Sequence, residues 1–452
     1  MAIEKDILFE RSVPLRHEVD VFIAGGGPSG VAAALAARQL GAEVFLAEGQ
    51  SCFGGMGTAG LVPIFCQFSD DINFLAGGAG QKIFDRCRDT GAFGPDYKSD
   101  RKYRHDSNPI YAEGLKRVYD ELMAESGAKF IFQSRLVAVQ AEAGLVDCVI
   151  CHAKSGFFAV KAKVYIDCTG DGDLATWAGA EFEKGDEDGQ LQSGTLCSLW
   201  AGIDWNKVRA AEQYDRWPSG QRSKIDQAIQ DGVFTTYDRS IPGIWPTGHG
   251  LGGGNLGHAF GVDGIDEQTV TEALLTGRKK ASEYLRYYKQ YNTGFEDMEL
   301  AATGALLGIR ETRRITGDYT LTVEDYKNRA NFADEIGRYN YSIDIHPSTA
   351  GPIKKVSTSF HDISCREGES YGIPYRILTP SGLDNVLVAG RCVSTDRYVN
   401  GSIRVMPGCF ITGQAAGAAA AITADKQTTT RAIDIKELQQ KLKAMGAFLP
   451  NS

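Results

Sequence analysis

An α/β fold with a parallel sheet at its centre is what this sequence predicts, and three observations predict it. VDVFIAGGG is an apolar run ending in glycines, PSGVAAALAARQLG continues it as a small-residue helix closed by Gly41, and AEVFLAE is a second apolar run ending on Glu48. Strand, helix and strand in immediate succession make one βαβ unit from Val19 to Glu48, close to the ~30 residues such a unit takes.

The turn GGGPSG satisfies G-x-G-x-x-G in the context that gives the pattern meaning: strand before, helix after, acid at the end of the next strand. This is the Rossmann-type dinucleotide turn. Gly25 permits the tight turn, Gly27 lets backbone approach a pyrophosphate, and Gly30 lets helix and strand pack closely. The backbone N–H groups of the helix start, from Ser29 onward because Pro28 has none, face the phosphates with roughly half a positive charge behind them. Glu48 is placed to accept hydrogen bonds from ribose hydroxyls and to disfavour a 2′-phosphate. A second match, Gly252, Gly254 and Gly257 in GLGGGNLG, has no apolar strand leading in and no helix leading out, so it reads as a loop.

From Cys52 to about Pro109 the chain is glycine-rich and irregular, as suits a loop wrapping a ligand. Tyr111 to Ser126 has helical periodicity, and FIFQSRLVAVQ, LVDCVICHA and FFAVKAKVYIDCTG follow as a strand and a β-meander that return the chain to the first sheet. Residues 182–376, with a long polar helix from Glu267 to Tyr291, read as an inserted α+β domain between residues 1–181 and 377–452. In the tail, NVLVAGRCVS and GCFITGQAAGAAAAI repeat the strand–glycine–helix pattern and rejoin the first domain.

Composition narrows the class. A chain of 452 residues has room for two domains, and 43% hydrophobic with 23% charged residues is ordinary for a folded protein. A net charge of −9 argues against nucleic acid as the main partner, because that work needs clustered cations. The expectation is no membrane span and a cytoplasmic location, since no stretch approaches ~20 uninterrupted apolar residues and the N-terminus carries charges throughout. Ten scattered cysteines read as reduced thiols, and the lone CxxC, Cys148 and Cys151, lies on opposite faces of a strand. With no second CxxC and no paired helical histidines, no metal is expected. Ser193 lacks the G-x-S-x-G elbow of a serine hydrolase.

FGGMGTAG after Glu48, IDCTGDGDLA at residues 166–175, and NVLVAGR followed by GSIRVMPGCFITGQAAGAAAA resemble the flavoprotein superfamily of fumarate reductases and succinate dehydrogenases. The similarity is greatest to the broad bacterial group of FAD-dependent oxidoreductases and extends over GIRETRRITGDYTLT, IDIH and GIPYRIL. It implies a ββα-sandwich FAD-binding domain. Gly25, Gly27, Pro28, Ser29, Gly30, Glu48, Gly54 and Gly55 would line the ADP half, with Met56 and Thr58 in the same loop. Leu136 would meet adenine through its backbone, and Thr169, Gly170 and Asp171 would pass nearby. Gly390, Arg391, Gly401 and the helix start at Gly413, Gln414 and Ala415 would lie toward the ring.

The departures also matter. Cys52 has glycine, Gly57, five positions on, where disulfide reductases of this superfamily have their second cysteine, which excludes a dithiol relay. Gly55-Met56-Gly57-Thr58 lacks the flavin-linking histidine of succinate dehydrogenases, so noncovalent FAD is expected. No second Rossmann unit is present for a nicotinamide, so any NADH or NADPH would visit only transiently. Relatives often carry a histidine before GS-x-R, where this chain has Tyr398-Val399-Asn400.

Flavin chemistry needs a substrate carbon held against the ring and a group that handles the accompanying proton. Asp344 and His346 point the same way if YSIDIH is a strand, and His346 is the first choice for the proton. Arg310, Glu311, Arg313 and Arg314 occupy both faces of an extended segment, so at least one cation could face the ring, and an arginine of this cluster, with Arg310 and Arg313 the candidates, is the alternative to His346 for the proton; the other reading is an ion-pair network joining the domains. Arg404 is a candidate for a substrate anion or the flavin carbonyl. Tyr375 and Arg376 share that neighbourhood, and His249 and His258 are weaker candidates. The expected reaction is hydride transfer between a small polar organic substrate and FAD. Its rivals are a redox-neutral lyase or isomerase, an RNA-modifying flavoprotein, and a subunit active only in a complex.

Overall fold

The computed structural model describes residues 7–95, 97, 108–211, 221–238, 243–350 and 358–452. Its first unit is strand Leu15–Ala24, helix Pro28–Gln39 and strand Val44–Ala47. Val21, Phe22, Ile23, Val44, Phe45 and Leu46 are all buried, so the strands are covered on both faces, as central parallel strands must be. Lys129–Ile131 lies beside Val44–Ala47, and Gly156–Asp167 lies on the other side of Leu15–Ala24, all parallel.

Gly156–Asp167 serves two partners along its second edge. Its first residues pair antiparallel with Leu145–Ala153, which in turn pairs with Arg135–Glu142, giving the expected meander. Its last residues, Tyr165 to Asp167, pair parallel with Val386–Val388, which brings the tail back into the seven-stranded sheet. The helix after that tail strand, Met406–Lys426, is buried from Met406 to Ala424 and lies on helix Pro28–Gln39. A Cβ on Gly413 or Gly417 would come within 2.1 Å of the carbonyl oxygens of Ser29 and Ala33. Small residues on both helices are what allow this crossing.

A second, four-stranded sheet is formed by Ile244–Gly248, Leu251–Gly254, Ser198–Ala201 and Glu299–Thr303. Helix Glu267–Tyr291 is capped by the Asp266 carboxylate on the N–H groups of Gln268 and Thr269. It contributes Tyr284, Tyr287 and Tyr288 to a core with Trp200, Trp205 and Met298.

Two expectations change. The glycine run in GLGGGNLG is not a loop: Leu251–Gly254 is a strand, paired on both sides. Its glycines admit close neighbours, because a Cβ on Gly252 would meet Ile244 at 2.3 Å and one on Gly253 would meet Pro63 at 2.3 Å. The apolar residues that form separate cores run from Leu196 to Leu307, whereas Ile315, Leu321, Tyr326, Ile336, Tyr339, Tyr371 and Tyr375 pack into the core of the first domain. By core membership the last third of the expected insertion goes with the sheet.

Candidate functional site

The three motif glycines differ in what surrounds them. Gly25 has φ +95°, and a Cβ there would lie 2.6 Å from the carbonyl oxygen of Cys168; one on Gly30 would lie 1.9 Å from that of Gly25. Both are required by the protein's own packing. Gly27 is different: a Cβ on it would meet nothing within 4 Å. It is the N-cap of helix Pro28–Gln39 and offers no side chain to the helix's first N–H groups.

The loop after Glu48 folds back over this turn. The N–H of Gly54 donates to the carbonyl of Gly26 at 2.8 Å, and a Cβ on Gly55 would lie 3.5 Å from Cα of Gly27. Glu48 is buried and accepts from the N–H groups of Gly26 and Gln50, both at 2.6 Å. Burial pushes its carboxyl up, against the pull of those two N–H groups. Met56 lies in the same short turn, Gly55–Gly57. Thr58 does not face outward: it is fully buried, and its hydroxyl donates to the carbonyl of Phe53. It braces the loop. Leu136 starts the outer part of the meander opposite Cys151.

At the sheet's carboxyl edge, Asp167 accepts from the N–H and hydroxyl of Thr169 and from the N–H of Ala175. Burial pushes its carboxyl up to about 6. Arg391 reaches back from the tail to the Gly170 carbonyl, the Asp171 carboxylate and the Ile309 carbonyl. A Cβ on Gly390 would lie 2.7 Å from Oγ of Ser29, so tail and glycine turn abut.

Three tail residues expected near the ring have other neighbours. Gly413 faces Ser29 across the helix crossing, and Ala415 is fully buried in the core. Gln414 accepts from the N–H of Ala79 at 2.6 Å and donates to Gly77, so it caps helix Ala79–Asp89. A small-residue run serves helix packing and ligand approach alike, and here packing takes it.

The cationic cluster divides as well. Arg313 pairs with Asp173 at 2.7 Å and donates to the Asp171 carbonyl. Arg314 and Arg397 converge on the buried Glu311, which also accepts from Gln192. These contacts make an ion-pair network around Glu311. Arg376 is held by Asp334, and the Tyr375 hydroxyl donates to the Thr430 carbonyl. Arg310 is separate: it is buried and donates to the Ser193 carbonyl. Burial and the nearby Arg404 lower it to about 10.

Residues 341–346 are not a strand, yet Asp344 and His346 do meet, with Nε2 of His346 3.2 Å from Oδ1 of Asp344. The irregular segment follows the tail helix Arg397–Ile403 instead of a sheet neighbour, and Gly401 is the point of approach: a Cβ there would lie 2.9 Å from the Asp344 carbonyl. Arg404 donates to the carbonyl and the carboxylate of Asp344. Its Nε is buried with no hydrogen-bond partner. On the other side, Nδ1 of His346 lies 2.8 Å from Nε2 of His258, whose Nδ1 lies 3.1 Å from Oδ1 of Asp238. Sequence reasoning missed Asp238 and ranked His258 low.

Electrostatics set the pair apart. Burial, with the Arg310 guanidinium, pushes the His346 imidazole down to about 4 in spite of Asp344. Burial works to raise the Asp344 carboxyl, but His346, Arg404 and Arg310 outweigh it and hold it well below the usual carboxylate range. Asp344 remains 37% exposed and His346 18%. Both ring nitrogens of His346 are engaged, so Asp344 is the outward group.

A family model described as FAD dependent oxidoreductase matches residues 20–442. The chain belongs to that family. It is an FAD-dependent oxidoreductase, and FAD is its cofactor. The residues fit that group: the open space before Gly27, the uncapped helix start and the second lone pairs of a buried Glu48 are what a dinucleotide requires. No curated protein matches this oxidoreductase.

Among solved structures, a geranylgeranyl bacteriochlorophyll reductase-like protein from Thermoplasma acidophilum is similar at 13% identity and TM-score 0.49, over 95% of this chain and 84% of that one. The p-nitrophenol 4-monooxygenase PnpA from Pseudomonas putida is similar at 10% identity and TM-score 0.47, over 95% and 89%. An anhydrotetracycline hydroxylase from Streptomyces rimosus is similar at 13% and 0.43, over 95% and 66%. Among the described residues there is no cluster of potential metal ligands, and no single helix is long and apolar enough to cross a membrane.

Proposed function

We propose that this oxidoreductase moves a hydride between FAD and a small polar, anionic organic substrate, in the manner of the fumarate-reductase-like flavoproteins it resembles. One observation carries the reading: a half-exposed carboxylate, Asp344, backed by His346 and flanked by Arg404, with buried Arg310 close by. That set places an acid–base group and two cations together, which is what an anionic substrate that exchanges a proton needs.

Gly25, Gly27, Pro28, Ser29, Gly30, Glu48, Gly54 and Gly55 would hold the ADP half, with Gly170, Asp171, Gly390 and Arg391 continuing the cradle. FAD, when bound, supplies the hydride acceptor or donor. Arg404, through its unpartnered Nε, and Arg310 would fix the anionic group of the substrate. His346 would exchange the proton, and Asp344, held ionised beside Arg404 and Arg310, would orient its ring. The inserted sheet would close the site from water.

The test is the visible spectrum of the purified holoprotein, recorded anaerobically with NADH, with NADPH and with a panel of small hydroxy and keto acids. The reading requires that at least one small acid changes the flavin spectrum, directly or after nicotinamide reduction. Asp344→Asn and His346→Ala must then retain flavin but lose most of that response. An unaltered response in both variants, or a response confined to uncharged substrates, overturns it.

A further inference from the structure

The side chains Asp238, His258, His346 and Asp344 form a line with three gaps of hydrogen-bond length, 3.1, 2.8 and 3.2 Å. Each gap closes only if one proton lies in it, because carboxylates are acceptors and a neutral imidazole has one donor and one acceptor nitrogen. Two neutral imidazoles bring two protons, so one gap would then set two lone pairs against each other. At the Asp238 end the His258 and Asp238 side chains are 2% and 7% exposed, which leaves little water to relieve such a clash.

We propose that these four side chains form one proton-holding relay that carries a single proton beyond those of two neutral imidazoles, with Asp344 as its outer end and Asp238 as its buried counter-charge. The extra proton resides on His258. That ring then donates from Nδ1 to Asp238 and from Nε2 to His346, and His346, still neutral, donates from Nε2 to Asp344. This arrangement agrees with the downward push that burial and Arg310 exert on His346.

The surroundings favour the same placement. Asp238 grips His258 twice, accepting from its backbone N–H at 2.7 Å as well as facing its ring. Helix Glu267–Tyr291 presents Lys280, which donates to the His258 carbonyl, and Tyr284, whose hydroxyl faces Gly257 beside Asp238. Arg310 and Arg404 stand at the other end, around Asp344, where a further positive charge is least tolerated. With the extra proton the four side chains sum to one negative charge, and without it to two. Asp238 and His258 are therefore positioning residues, acting through His346 on the proton that ring exchanges.

This inference rests on the proposed role of the Asp344–His346 pair, but its test does not need turnover. The chain has seven histidines, few enough for side-chain nitrogen NMR of holoprotein labelled with 15N-histidine. His258→Gln and His346→Gln assign the two rings. At pH 7.5 one ring, His258, is expected to show two protonated nitrogens, and His346 one protonated and one bare. Asp238→Asn supplies an amide donor to Nδ1 of His258 and closes all three gaps with two imidazole protons, so the imidazolium signal is expected to be lost. Asp344→Asn relaxes the line from its other end with the same loss, which covers the case in which the first variant does not fold. Two neutral rings in the unmodified protein, or an imidazolium that survives in either folded variant, overturns the relay. Flavin that still responds unaltered in both Asp344→Asn and His346→Ala overturns the proposed function instead and leaves the NMR result as it was.

Discussion

Replacing each motif glycine with alanine separates what the protein needs from what the cofactor needs. In Gly27→Ala the new methyl meets no protein atom within 4 Å, and the backbone, at φ −66°, is one alanine adopts without strain. Loss of unfolded-state freedom favours the variant by ~0.4–1 kcal/mol. Alanine is a poorer N-cap than glycine by several tenths to ~1 kcal/mol, so the two effects nearly cancel. In Gly30→Ala the methyl would stand 1.9 Å from the Gly25 carbonyl oxygen, and in Gly25→Ala 2.6 Å from that of Cys168 at a positive φ. Neither obstacle is a flexible side chain. Overpacking of this kind costs ~1–3 kcal/mol or more. Urea unfolding of the flavin-free proteins, followed by circular dichroism, should therefore leave Gly27→Ala within ~1 kcal/mol of the parent and show Gly25→Ala and Gly30→Ala less stable by at least ~2 kcal/mol. Quenching of FAD fluorescence should show Gly27→Ala binding at least ~10-fold more weakly, about 1.4 kcal/mol. A Gly27→Ala protein that binds FAD like the parent, or that loses ~2 kcal/mol without it, refutes the assignment of that open space to the dinucleotide.

Three further outcomes follow from the same contacts. Gln414→Ala removes the acceptor for the Ala79 N–H and should cost ~1–3 kcal/mol in the flavin-free protein as well as the holoprotein; a loss seen only with flavin bound would return Gln414 to the cofactor. Arg391→Ala strips the partner from Asp171 and two carbonyls and should cost ~3–5 kcal/mol by urea unfolding, whereas a change under ~1 kcal/mol would mean that water replaces the guanidinium. The folded His346 titrates near 4, below its ordinary 6.5, so as pH falls through that window the unfolded chain takes up the proton first and stability is lost. His346→Gln should lose less stability than the parent between pH 6.5 and 4; parallel pH curves by denaturant midpoint would contradict the downward shift.

What was legible in the sequence was local. The βαβ unit could be read because strand, turn, helix and acid follow one another within Val19–Glu48. The failures share a different cause. Gly252 to Gly254 look like a loop because glycine packs poorly in strands, and only the pairing with Ser198–Ala201 and Ile244–Gly248 makes them one. Gly413 and Ala415 look like a ligand-facing helix start until helix Pro28–Gln39 is laid against them. His258 and His346 are 88 positions apart, and Asp238 lies a further 20 back, so no spacing rule brings them together. The relay follows from the contact of the inserted region with the irregular segment 341–346. The glycine turn and Glu48 come from one continuous stretch of chain, and the fold brings Gly170, Asp171, Gly390 and Arg391 up to it. The proposed proton path is thus assembled from long-range contacts beside a glycine turn that is encoded locally, and for that reason the motif points to a dinucleotide while leaving the proton path to the fold.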